Sequence, residues 1–211
     1  MTKKKSTARI LAGSLRHKSL PSPRPIKGKS YVTPQKLKEA VFNIIESRHP
    51  SYSNMIFYDL FAGSCQMGFE AISRGALHTV FCDVAAERLE AGKKFLRDID
   101  LQARASFYRG NALKILGRAM TELPPRLEPG TVKPADTNLI IFADPPYTYE
   151  DTLTYKRLLQ TFRTHLSELT FGSALMLVQA PKFAARQFKE ESRIYDYGKN
   201  CLLLVTSADP F

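Results

Sequence analysis

The chain has 211 residues, 44% of them hydrophobic, which suits one domain with an appendage built around a real core. Its formal net charge is +11, from 31 Lys and Arg against 20 Asp and Glu, and a balance that basic points to a polyanionic partner. No apolar run approaches the roughly 20 residues of a membrane helix, and the basic N-terminus lacks the apolar stretch of a signal peptide. The three cysteines form no CxxC pair and the four histidines stand singly, without metal-ligand spacing. The expectation is a cytoplasmic protein with buried free thiols, no metal and no membrane contact.

The charge is concentrated at one end. Residues 1–38 carry Lys3, Lys4, Lys5, Arg9, Arg16, Lys18, Arg24, Lys27, Lys29, Lys36 and Lys38 with no acid, so residues 39–211 balance at 20 of each sign. Two short strands are expected around a Gly13-Ser14 turn, at Ala8–Gly13 and Leu15–Leu20. Pro21 to Lys29 reads as an irregular basic linker. Thr33 caps a helix with Pro34 at its first position, and Leu37, Val41, Ile44 and Ile45 share one face up to His49-Pro50. Residues 1–54 are thus expected to form a basic extension for nucleic-acid binding, through Arg9, Arg16, Lys18, Arg24, Lys27, Lys29 and Lys38. Residues 55–211 are expected to form a separate α/β domain.

That domain opens with a buried strand, Ile56-Phe57-Tyr58, that ends on Asp59. Small residues, Ala62-Gly63-Ser64, then let the backbone turn tightly and approach a ligand. Gly68 opens an amphipathic helix, Phe69 to Arg74, which stops at Gly75. The next strand, Thr79 to Asp83, also ends on an acid, where a doubly wound fold hydrogen-bonds a ribose hydroxyl. No GxGxxG and no P-loop lysine is present, so a nucleoside without phosphates, such as S-adenosylmethionine, is favoured over a dinucleotide or a triphosphate.

A helix over Ala85–Ile99, a strand over Ala105–Tyr108 and a turn at Arg109-Gly110-Asn111-Ala112 follow, with Asn111 placed to meet an adenine edge. A helix to about Leu123 precedes a Pro-rich loop, Pro124–Thr137, read as a variable excursion. The strand Asn138–Phe142 runs into Asp144-Pro145-Pro146-Tyr147. Beyond it come a helix over Thr152–Leu166, a strand over Ala174–Gln179 and a short helix after Pro181. Two last strands, Ile194–Gly198 and Cys201–Thr206, turn at Lys199-Asn200. The fold class is α/β, a mostly parallel sheet with a terminal antiparallel hairpin.

Asp144 to Tyr147 carries its own chemistry. The exocyclic amine of a base is a poor nucleophile, because its lone pair is delocalised into the ring. A carboxylate from Asp144 and the carbonyl of Pro145 can accept its N–H groups and return electron density to nitrogen. The two prolines hold the turn rigid and bring no competing backbone N–H. Tyr147 offers a face on which an extruded base stacks, worth ~1–3 kcal/mol. Methyl transfer from a sulfonium is an in-line displacement that needs no metal.

With these motifs the chain resembles the RsmD-type family of bacterial small-subunit rRNA guanine-N2 methyltransferases. The likeness runs through Arg9-Ile10-Leu11-Ala12-Gly13, Leu37 to Ile44, Asp59 to Ser64, Gly68 to Ala76 and the Asp-Pro-Pro-Tyr turn. It implies a Rossmann-like fold, S-adenosylmethionine as cofactor and transfer to a guanine 2-amino group of 16S rRNA during small-subunit assembly; a monomer is the separate expectation for the oligomeric state. By the same resemblance Asp59, Phe61, Ala62, Gly63, Ser64 and Gly68 line the cofactor, and Asp83 holds its ribose. Asn111 and Ala112 border the adenine, and Asp144, Pro145, Pro146 and Tyr147 meet the target base. Two positions depart from the pattern. Cys65 stands where a second glycine is usual, which is expected to narrow the cofactor loop. Tyr31-Val32-Thr33 stands where Arg-Pro-Thr is usual, which bears on the rRNA target. A DNA amino-methyltransferase, a protein methyltransferase and a non-catalytic RNA-binding assembly factor remain as competing readings.

Overall fold

The computed structural model describes residues 8–20, 33–122, 127, 132–146 and 152–207. Arg24, Lys27, Lys29, the Pro21–Lys29 linker, half of the Pro124–Thr137 loop and Tyr147 lie outside them.

Apolar, β-branched and aromatic runs form five parallel strands: Met55–Asp59 (β1), His78–Asp83 (β2), Ala105–Arg109 (β3), Asn138–Ala143 (β4) and Ser173–Pro181 (β5). β1, β2 and β4 are buried on both faces or nearly so, which is why they read as continuous apolar runs rather than as alternation. Arg193–Tyr197 (β6) and Asn200–Thr206 (β7) complete a seven-stranded sheet of order β3-β2-β1-β4-β5-β7-β6, with β7 antiparallel to both its neighbours. The chain winds outward from β1 to β3 and then returns to place β4 on the other side of β1. Strand order therefore reverses between β1 and β4, and a crevice opens there at the carboxyl ends of the strands.

Successive residues of β1 serve opposite faces. Ile56 and Tyr58 pack with Leu116 of helix Ala112–Thr121 (α4) and Leu158 of helix Thr152–Thr164 (α5). Phe57 packs with Val41 and Ile45 of helix Gln35–Arg48 (α1) and Met67 of helix Gln66–Arg74 (α2). Helix Ala86–Arg97 (α3) builds a smaller core at the sheet edge, where Phe69, Phe81, Leu89 and Leu96 meet Ile10 and Leu20 of the N-terminal segment. A short helix, Lys182–Ala185 (α6), follows β5. No helix of the described residues is long and apolar enough to cross a membrane.

Several local expectations need correction. Residues 8–20 are not two full strands: a single antiparallel bridge joins Arg9 to Ser19, backed by Leu20 N to Ala8 O, Ile10 N to Lys18 O and His17 N to Ile10 O, and further ties run to α2 and α1. Pro34, not Thr33, precedes the first turn of α1, in an extended conformation that a proline adopts readily. α2 starts at Gln66 rather than near Gly68, because the left-handed Cys65 turns the chain into the helix two residues earlier than glycine alone would suggest. The final turn is Gly198-Lys199, with Tyr197 paired to Asn200, since Gly198 takes the positive φ of +60°.

Candidate active site

The loop after β1 is held by the ends of its neighbours. Leu60 N donates to Phe142 O of β4 (3.0 Å), and Ala62 N donates to Cys82 O of β2 (2.8 Å). Gly63, at φ +51°, donates its N–H to Asp83 Oδ2 (2.8 Å). Gly68 N donates to Asp59 Oδ2 (3.2 Å), and a Cβ at Gly68 would lie 2.2 Å from the Phe81 ring. Glycine at 68 is therefore a packing requirement of the helix against β2. The result is a tight cradle of Ala62, Gly63 and Ser64, all buried, at the switch point. Phe61 is partly buried and packs against the core beside Tyr58.

Asp83 is engaged on both oxygens. Its Oδ1 accepts from Ala85 N (2.8 Å), its Oδ2 accepts from Gly63 N, and Arg88 Nη1 lies 3.3 Å from Oδ2. These donors fix the carboxylate at the mouth of the cradle. Asn111 is the N-cap of α4, its side-chain oxygen accepting from Leu113 N (2.9 Å) and Lys114 N (3.4 Å). With that oxygen committed, the amide Nδ2 is the group Asn111 has to offer a base. Ala112 is the first residue of α4, buried behind it.

Asp144 follows β4 directly, across the switch point from Asp59. Burial pushes the Asp144 carboxyl up to about 7. Asp59 also rises to about 7: burial is the main cause, the Gly68 N–H opposes it, and the charges of Asp144 and Asp83 add to it. Three carboxylates thus converge on one crevice, and two of them resist ionisation there. Such a site favours a cation as its occupant. Pro145 is buried and Pro146 exposed, so the turn rises out of the sheet edge; Tyr147 falls outside the described residues.

Cys65 takes φ +60°, the left-handed region where glycine is the easiest residue. Its thiol does not narrow the loop. It is buried in the edge core, close to Gly92 of α3 and among Phe69 and Phe81. Burial drives its pKa well up, so it is an inert apolar filler. Lys38 is likewise not a surface cation for nucleic acid. It is buried, donates to Arg9 O (2.6 Å) and pairs with Glu70 at 3.4 Å. Arg9, Arg16 and Lys18 are exposed.

Reading residues by type missed three groups. Val84 follows Asp83 and is 71% exposed, an apolar platform at the carboxyl edge. An apolar residue directly after a strand-end acid was the available signal. Arg88, five residues beyond Asp83, had none, because only the turn into α3 brings it back to that carboxylate. Glu70 was quoted as part of a motif, but its burial beneath the N-terminal segment was not legible.

Comparison with known proteins bears on this site. A family model described as "Conserved hypothetical protein 95" matches residues 8–182. The chain belongs to this family. It is the RsmD-type family, and its model takes in the N-terminal segment, the cradle and the Asp144 turn alike. "Putative rRNA methyltransferase YlbH" of Bacillus subtilis is 34% identical over 140 residues, 66% of either chain. "Uncharacterized methylase RP545" of Rickettsia prowazekii is 30% identical over 113 residues, 51% of this chain and 47% of its own length. The chain thus spans about two thirds and one half of the curated relatives it matches. Among solved structures, "Putative methyltransferase yhhF" from Escherichia coli superposes with a TM-score of 0.63 at 21% identity, covering 95% of this chain and 97% of that one. The fold is that of the class I methyltransferases.

Proposed function

We propose that this family member transfers a methyl group from S-adenosylmethionine to the exocyclic N2 amine of a guanine in small-subunit rRNA, acting in the cytoplasm as a monomer. The observation that carries the reading is the placement of Asp144, with Pro145 after it, on the switch-point crevice opposite Asp59. The relatives' names, one of them for rRNA methylation, support the substrate class.

The crevice fits this cofactor on three counts. Its glycine cradle has no room for side chains at Gly68, Asp83 is fixed where a ribose diol needs an acceptor, and the converging carboxylates suit a cationic sulfonium with its amino-acid ammonium. Asp59 and the cradle residues Ala62 to Ser64 would hold the amino-acid end, Asp83 the ribose, and Val84, Asn111 and Ala112 the adenine. When bound, the cofactor supplies an electrophilic methyl group.

The protein's own residues prepare the nucleophile. Asp144, as carboxylate, accepts one N–H of the guanine amine, and the Pro145 carbonyl accepts the other. Both shift electron density onto nitrogen along the line of attack. After transfer the amine carries a surplus proton, which the carboxylate of Asp144 is placed to take. Its raised pKa of about 7 suits it to hold that proton near neutrality. Pro145 offers an acceptor but no donor, so the turn cannot compete for the amine. Residues 1–54 supply RNA affinity, with Arg9, Arg16 and Lys18 exposed for phosphate contact.

The test is transfer of a labelled methyl group to small-subunit particles that lack the modification, followed by nucleoside analysis. Label in N2-methylguanosine is the expected result. Label in N6-methyladenine or N4-methylcytosine with DNA as substrate would replace this reading by a DNA amino-methyltransferase. Cofactor binding without any transfer would leave an assembly factor.

A further inference from the structure

Glu70 lies on α2, two residues beyond Gly68, and is fully buried. Its Oε2 accepts from Leu11 N (2.8 Å) and faces Lys38 Nζ at 3.4 Å; its Oε1 accepts from Ala12 N (2.9 Å) and Arg74 Nε (3.1 Å). Four donors fill a carboxylate that accepts about four, and two of them are backbone amides of the N-terminal segment. Ser73, one turn on, accepts from Leu15 N (2.9 Å) and donates to Ala12 O (2.5 Å), while its carbonyl accepts from Ser14 N (2.8 Å). Gly13, at φ +80°, lies so close that a Cβ there would come 1.9 Å from Ser73 O. From the other side Lys38 of α1 holds Arg9 O. Residues 9–15 are therefore bolted to the helix whose first turn closes the cofactor cradle.

We propose that Glu70 and Ser73 are positioning residues that join the basic N-terminal arm to the cofactor loop as one mechanical unit, so that occupancy of either strengthens the other. The part that concerns RNA rests on the function proposed above; the joining of arm and loop does not. The chain of contacts is short. Arg9 and Arg16 present their side chains to solvent, the backbone between them hangs on Glu70 and Ser73, and the same helix begins with Gly68 N on Asp59. Any shift of the arm must move α2 or break bonds to a buried carboxylate, and leaving that carboxylate underbonded is costly. Coupling of this kind is reciprocal between the two sites.

The test uses the full chain and S-adenosylhomocysteine, with amide hydrogen exchange as the readout. Saturating S-adenosylhomocysteine should slow exchange at Leu11 and Ala12 by about tenfold or more, along with Gly63 and Gly68. No change at Leu11 and Ala12 overturns the proposal. Exchange at Gly63 and Gly68 then tells whether the cofactor reading failed with it. Gly13→Ala keeps every charge and every residue of α2, but its Cβ would meet Ser73 O, so the arm cannot seat. It should open the chain to trypsin at Arg16 and Lys18, abolish the S-adenosylhomocysteine effect at Leu11 and Ala12, and raise KM for the rRNA substrate about tenfold while kcat changes less than about twofold. By the same reciprocity it should weaken S-adenosylhomocysteine binding by up to about tenfold, whereas a variant that merely destabilised the fold would speed exchange across β1 and β4 and lower kcat. An opened arm with wild-type KM and an intact S-adenosylhomocysteine effect also overturns the proposal. Removal of residues 1–20 repeats the KM measurement should Gly13→Ala leave the arm seated, and an unchanged KM there counts against it equally.

Discussion

Two acidic regions, Glu70 on α2 and the carboxyl edge where Gly68 of the same helix meets Asp59, differ in kind. Glu70 has four donors, two of them the cations Lys38 and Arg74, and all belong to the protein. Asp59 and Asp144 face each other across the switch point with little to offset their burial, and both are pushed up to about 7. A buried charge that is satisfied internally holds parts together; one left uncompensated at a sheet edge costs stability and waits for a partner from outside. Burial alone would not separate the two. The donor inventory does.

Four measurements would break or sharpen this contrast. Glu70→Ala should be the most damaging to stability, by about 3–5 kcal/mol in chemical denaturation, because it strands Lys38 in the interior, where burial already lowers its pKa. A loss below about 1 kcal/mol would remove Glu70 from its structural role. Asp144→Asn should do the reverse. Methyl transfer should fall by at least about 10²-fold, because the amide oxygen still accepts an N–H but lacks the charge and cannot take the surplus proton, with stability unchanged or raised. Retained activity would take Asp144 out of the chemistry.

Asp83→Ala removes an acceptor that Gly63 N, Ala85 N and Arg88 all point at, and should weaken S-adenosylhomocysteine binding about 10–100-fold by calorimetry. An equal affinity would mean that this carboxylate orders the loop but does not touch the ligand. The pH dependence is smaller. A carboxyl whose folded pKa is raised from 3.8 to about 7 contributes stability that is whole below the lower value and lost as pH rises through the higher. Without ligand, the wild type should therefore lose about 1–2 kcal/mol relative to Asp144→Asn between pH 4 and 8, partial exposure of the side chain keeping the figure low. The same titration should make kcat/KM fall as pH drops below about 7, since the carboxylate is the active form. A flat difference between the two proteins across that range would contradict the raised pKa.

Much of the fold was legible in the residues. The apolar runs of β1, β2 and β4, each closing at or next to an acid, gave strands, direction and the carboxyl edge together. The Tyr197–Asn200 pairing was off by one residue in prediction, because a turn can take its positive φ at either of two neighbouring polar positions and here Gly198 takes it. The cradle was legible because glycines announce close approach. Lys38 was misread because a lysine in a basic stretch looks the same whether it faces water or Glu70, 32 residues on in the chain.

The sequence by itself determined the strand–helix alternation, the strand-end acids and the family, since each rests on local pattern or on contiguous motif. Only the tertiary structure decided which buried acids are paired. Pairing depends on what α1, α2 and the N-terminal segment bring to one point, and no local pattern encodes the distance between Leu11 and Glu70. It also decided the place of Cys65, whose left-handed backbone turns the thiol into the edge core and leaves the cradle its width.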